Sequence, residues 1–254
     1  MTPPIALQLY TVRDLLADDF VGTMEQVAGM GYVGVETAFF GEHMSAAQAG
    51  KLFQALGLTV VAAHCEIPLG EEQAPVLEMM AALDCRRMIW HGWPRDEDYG
   101  SMEGIKRLAE RYNAANAVAQ ANGMGFGIHN HWWEFESVEG RYPYQILLKE
   151  MDPTIFFEID TYWVKTAGLD PVKVLEELGS RAPVLHIKDG PATRHEPMVA
   201  VGDGTMDFAA ILAAAEGHTE CLVVELDECA TDMMDAVARS YEYLVGGGFA
   251  YGKS

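Results

Sequence analysis

A short β-branched or apolar run followed by a longer segment of helical spacing recurs eight times, without a break, along 254 residues. The runs are Ile5–Tyr10, Val33–Ala38, Thr59–His64, Arg87–His91, Gly125–His131, Ile155–Asp160, Pro183–Asp189 and Cys221–Asp227. Helical patterns follow them: about Asp14 to Gly29, from near Ser45, across Glu71–Leu83, Met102–Ala121, near Pro143–Glu150, from Asp170-Pro171, Asp207–Glu216 and Asp232–Leu244. Pro171 behind Asp170 is a helix-start signal, and Gly31, Gly57, Gly123, Gly179 and Gly217 fall where helices should end. Eight strand–helix units in one chain predict an α/β fold, a single-domain (β/α)8 TIM barrel over residues 1–254. The tail from about 246 to 254 (GGGFAYGKS) is expected to be loose, mobile or docked on a neighbour.

Half the residues are apolar, enough for a sizeable core, and no linker or low-complexity segment divides them. No apolar run approaches the ~20 residues that cross a bilayer, and MTPPIALQLY has no basic signal-peptide region. A cytoplasmic protein with no membrane partner is the expectation. With 17 basic against 38 acidic residues the formal charge is −21, which argues against a nucleic-acid partner, since phosphate binding needs a basic face. Cys65, Cys85, Cys221 and Cys229 form no metal-binding or redox spacing and are expected to be reduced.

Side chains alternate along a strand, so in a barrel one set faces the helices and the other the lumen. The helix-facing set must be apolar, and this sets the phase. Leu222, Val224 and Leu226 face out, leaving Val223, Glu225 and Asp227 inside. Ile155, Phe157 and Ile159 face out, so Glu158 and Asp160 point in; Leu185 and Ile187 leave His186 and Lys188 inside; Phe126 and Ile128 leave His129 and His131. The same rule turns Gln8, Glu36, His64 and His91 inward. All lie toward the C-terminal strand ends, the face that carries active sites in barrel enzymes. Unpaired charges in a closed lumen are costly, so this cluster calls for a cation, a polar substrate or both. The plain alternatives are mouth packing for His64 and His91, simple ion pairs for Glu36 and Glu158, and a helix cap for Asp227. Asp160, His186 and Glu225, ending three successive strands, are the firmest metal-binding trio.

At these positions the sequence resembles the sugar phosphate isomerase/epimerase family of xylose isomerase-like barrels. The resemblance runs through LQLYTVRD (7–14), GYVGVE (31–36), HNHWWEF (129–135), FEIDTYWVKTAGLDP (157–171), HIKDG (186–190), VGDGTMDF (201–208) and VVELDE (223–228). It implies one divalent ion held by a carboxylate after strand five, an aspartate after strand six, a histidine after strand seven and a glutamate after strand eight. The expected ligands are therefore Glu134, Asp160, His186 and Glu225. His129 occupies the position where many relatives carry glutamate, and it is the alternative to Glu134. Such a set suits Mn²⁺, with Mg²⁺, Co²⁺ or Zn²⁺ as alternatives. The superfamily's zinc-cluster DNA-repair enzymes carry further histidines where this chain has Trp163 and Met198.

The activity implied is isomerisation or epimerisation of a keto-sugar or related polyol through a metal-stabilised enediolate. Glu225 is the expected base, with Glu134 or Glu158 on the opposite face. His64, His91, His129, His131 and Lys188 are expected to bind substrate, with Tyr10, Trp132, Trp133 and Trp163 as apolar walls. Lys188 and Arg194 are the obvious cations, and the absence of a glycine-rich cradle favours an unphosphorylated substrate. A lyase acting through the same enolate (inosose-type dehydration or 3-keto-glycoside cleavage) is the alternative, and a non-catalytic sugar-binding barrel the remote one. Barrels of this kind are often homo-oligomers.

Overall fold

A computed structural model describes residues 2–38 and 44–253. Eight parallel strands close into a barrel in chain order: β1 Ile5–Gln8, β2 Gly34–Thr37, β3 Thr59–Cys65, β4 Arg87–Trp90, β5 Gly125–His129, β6 Phe156–Asp160, β7 Val184–Ile187 and β8 Cys221–Val224. The alternation works as expected. Ile5, Leu7, Phe126, Ile128, Phe157, Ile159, Leu185, Ile187, Leu222 and Val224 are buried in one core shared with the surrounding helices. A separate, smaller cluster of Ala6, Val184, Cys221 and Val223, with Val61 and Phe156 against it, fills the N-terminal part of the lumen. Gly127 makes room for that plug, because a Cβ there would run into the Phe156 ring. The fully buried charged side chains of the strands, Glu36, Glu158, Asp160 and His186, collect toward the other end.

Register lifts those polar residues to one level. His129 pairs with Glu158, Asp160 with His186, and Gln8 with Glu36. The β2–β3 register slips by one residue at Val35/Glu36, an irregularity of the kind that re-aims side chains near active sites.

Helices over Met102–Ala121 and Pro143–Glu150 start and stop as the pattern predicts. Three other segments differ. The first expected helix is two, Arg13–Asp18 and Phe20–Met30, because the Asp19 side chain leaves the helix to cap the amide of Gly22. A short helix, Thr161–Thr166, follows β6 directly; the apolar run TYWV hides it by reading as strand continuation. The tail is tied to the chain itself. Tyr251 receives the Ile5 amide and donates to Pro3, the Lys253 amide donates to Gly31, and the Lys253 ammonium reaches the Leu56 carbonyl at 2.7 Å. It seals the barrel's N-terminal end, and Ser254 lies outside the described residues. Among the described residues no helix is long and apolar enough to cross a membrane.

Candidate active site at the C-terminal mouth

The strands end earlier than the apolar runs suggested. His131, Lys188, Glu225 and Asp227 therefore sit on the loops just past β5, β7 and β8. They converge with strand-end residues on a cavity of about 620 Å³, within the range of small-molecule sites. Tyr10, His64, His91, His129, His131, Trp132, Trp163, Lys188, Glu225 and Asp227 all line it.

At the floor, one donor atom each from His129, Asp160, His186 and Glu225 lie within 4.8 Å of one another, and all four residues are buried. Asp160 is positioned twice. Its Oδ1 accepts the Trp163 amide at 3.0 Å, capping the short helix, and its own amide donates to Asn130 Oδ1 at 2.9 Å. Asn130 thus ties the end of β5 to the end of β6. The Lys188 ammonium lies 3.0 Å from Asp160 Oδ2, 2.8 Å from Glu225 and 3.0 Å from Asp227. It stands where a cation is required, and these carboxylates hold it charged even though burial opposes that.

Burial by itself would push Glu225 up, but Lys188 and His186 hold its carboxyl well below the ordinary range. Burial raises Asp160, with Lys188 and His186 opposing. His129 and His131 are driven well below their usual values by burial and by neighbouring cations, so both are neutral imidazoles with a lone pair to offer.

A second polar nest lies beneath this floor. Glu36, Glu158 and His186 are wholly buried. His64 Nε2 stands 2.7 Å from Glu158 and 3.1 Å from Glu36, while His129 Nδ1 is 3.2 Å from Glu158. His186 joins the two levels, with Nδ1 2.7 Å from Glu225 and Nε2 2.7 Å from Glu36. Burial opposes protonation of His64, yet the two glutamates outweigh it and raise its pKa to about 10. The nest therefore carries its own positive charge.

Three expected site residues are placed differently from the reading above. Glu134, on the turn Trp133–Phe135, is outside the four-residue floor cluster. Its Oε2 accepts the His131 amide at 2.9 Å, and burial raises its pKa to about 7. Glu158 belongs to the deep nest and does not line the cavity. Trp133 is core, stacked on the His131 ring at 4.3 Å, where a wall residue was expected. Arg194 is not free for an anion: it pairs with Glu136 and covers the Trp132 ring at 5.0 Å. Unanticipated wall residues include Val76, Met79, Trp93 and Met198, from loops and helices whose approach no local pattern reveals.

Residues 24–239 match the family described as xylose isomerase-like TIM barrel. The chain belongs to that family. Among solved structures, the barrel is similar to a sugar phosphate isomerase/epimerase from Parabacteroides distasonis, with TM-score 0.83, 26% identity, and 99% of this chain and 96% of that chain covered. It shares its fold with the probable 3-DHS dehydratase AsbF from Bacillus anthracis (TM-score 0.74, 13% identity, 95% and 98% covered). It shares it equally with the IolI protein, solved with a binding zinc atom (TM-score 0.74, 14% identity, 97% of each chain). No curated protein matches the chain in sequence.

Proposed function

We propose that this protein is a divalent-metal-dependent isomerase or epimerase of a keto-sugar or related polyol. One observation carries the reading: four metal-type donors, from the ends of β5 and β6, from β7 and from the loop after β8, meet at the floor of the cavity, and all four residues are buried. Carboxylate oxygens and imidazole nitrogens gathered this closely in a buried floor are the donor chemistry that a divalent ion binds. His129, Asp160, His186 and Glu225 would hold the ion, with His129 in the place first given to Glu134. Two imidazoles and two carboxylates suit Mn²⁺, Co²⁺ or Zn²⁺ better than Mg²⁺.

When bound, such an ion polarises a carbonyl and offsets the negative charge that develops once the adjacent carbon loses its proton. The chain's own groups do the rest. Glu225, kept ionised by Lys188 and His186, is the candidate proton acceptor. Lys188 is placed to donate to a substrate oxygen beside it. His131, neutral and lining the same cavity, is a candidate to accept a hydrogen bond from a substrate hydroxyl. Trp132 and Trp163, 5.1 Å apart, offer ring faces to the carbon skeleton and keep water from the floor.

The test is incubation of the Mn²⁺-loaded protein with unphosphorylated keto-sugars in deuterated solvent. Deuterium in recovered epimer or isomer, lost on chelation, is the expected result. An unsaturated product without isotope wash-in would reassign the site to a lyase. No turnover and no bound ion would leave a non-catalytic barrel.

A further inference from the structure

We infer that Glu36 is a positioning residue that fixes which nitrogen of His186 is free to bind the ion, an inference that rests on the metal-site reading above. A neutral imidazole has one N–H and one lone pair, and the hydrogen bond at one nitrogen decides the state of the other. His186 Nδ1 faces Glu225 and the floor cluster, and Nε2 faces Glu36 in the nest below. For Nδ1 to offer a lone pair, Nε2 must keep the hydrogen, and something beneath must be obliged to accept it.

The structure contains a chain of hydrogen bonds whose direction is set at its far end. The backbone amide of Tyr10 can only donate, and it donates to Gln8 Oε1 at 3.1 Å. That fixes the Gln8 side chain with its Nε2 toward Glu36, where it donates to Oε1. Glu36 Oε1 is therefore an acceptor, and His186 Nε2–H completes the series at 2.7 Å, with Glu158 Oε2 farther from that nitrogen at 3.1 Å. Glu36 is wholly buried and lines no part of the cavity, so it acts through His186 and never on substrate. The residue comes from β2, on the far side of the barrel from the ligand strands, which is why its motif shows no functional spacing with them.

Glu36→Gln removes the charged acceptor with almost no change in volume. Isothermal titration with Zn²⁺ should give about one ion per wild-type chain, and 10- to 100-fold weaker binding in the variant, the usual cost of losing a group behind a metal ligand. Long-range ¹⁵N spectra of the Zn²⁺-loaded wild type should show His186 protonated at Nε2, and in the variant a mixture of tautomers; a merely structural role would not move that signature. Equal affinity with an unchanged tautomer overturns the inference and leaves the metal site standing. Two ions in the wild type with one in Glu36→Gln overturns it as well, because the nest would then itself be a metal site. No ion in the wild type sinks both readings. Should Glu36→Gln fail to fold, Gln8→Met leaves every charge in place but unpins Glu36, and several-fold weaker Zn²⁺ binding is then expected, with no change refuting the chain.

Discussion

Lys188 should be the residue whose loss is most nearly repaired by metal. Its ammonium is 1% exposed and touches Asp160, Glu225 and Asp227 at 2.8–3.0 Å. Lys188→Met keeps most of the apolar stem but leaves Asp160 and Glu225 buried without their cation; Asp227, whose side chain is about one-third exposed, contributes less. Breaking a buried ion pair from one side costs about 3–5 kcal/mol, because the stranded charge stays desolvated. For a chain of this length that is a fall in melting temperature on the order of 10 °C. The assay is thermal and urea unfolding of wild type and variant in chelator and in excess Mn²⁺. A divalent ion on the same carboxylates supplies the missing charge, so saturating Mn²⁺ should stabilise the variant more than the wild type. At 100 times the dissociation constant, binding alone adds about 2.7 kcal/mol. A variant as stable as wild type in chelator would refute the electrostatic reading of the floor. Equal Mn²⁺ stabilisation of both proteins would show that Lys188 and the ion do not share their carboxylates.

Asp160→Asn keeps the cap on the Trp163 amide through Oδ1 but turns an amide group toward Lys188 and removes one anionic donor; bound metal measured after gel filtration should fall from about one ion per chain to near none, with turnover abolished. Full occupancy in that variant would remove Asp160 from the ligand set. Glu134 makes a pH prediction. Its folded pKa is raised from an ordinary 4.5 to about 7, so its stabilising share is complete below 4.5 and is lost as pH rises through 7. Glu134→Gln retains the acceptor for the His131 amide and cannot ionise. It should match wild type near pH 4.5 and exceed it above pH 7 by up to about 3 kcal/mol, at about 1.4 kcal/mol per pKa unit. Parallel urea-unfolding stabilities from pH 5 to 8 would contradict this.

Periodicity alone determined the barrel, its eight strands and the direction of each side chain along them. Both are local consequences of alternation: a strand such as Phe156–Asp160 must bury Phe157 and Ile159 outward, and Glu158 and Asp160 then have nowhere to point but the axis. What alternation cannot convey is depth. Glu158 and Asp160 are two residues apart and both face in, yet register sinks Glu158 among Glu36 and His64 while Asp160 reaches the floor of the cavity. The choice between His129 and Glu134 was equally closed to sequence. The tight turn at Trp133–Phe135 folds Glu134 back onto the His131 amide, outside the floor cluster that includes His129. Lys188 looked like a free cation until the end of β6 and the loop after β8 brought three carboxylates around it. Inward or outward is a property of one strand; which inward residues meet is decided by eight strands together, through stagger, loop closure and the cost of leaving buried charge unpaired.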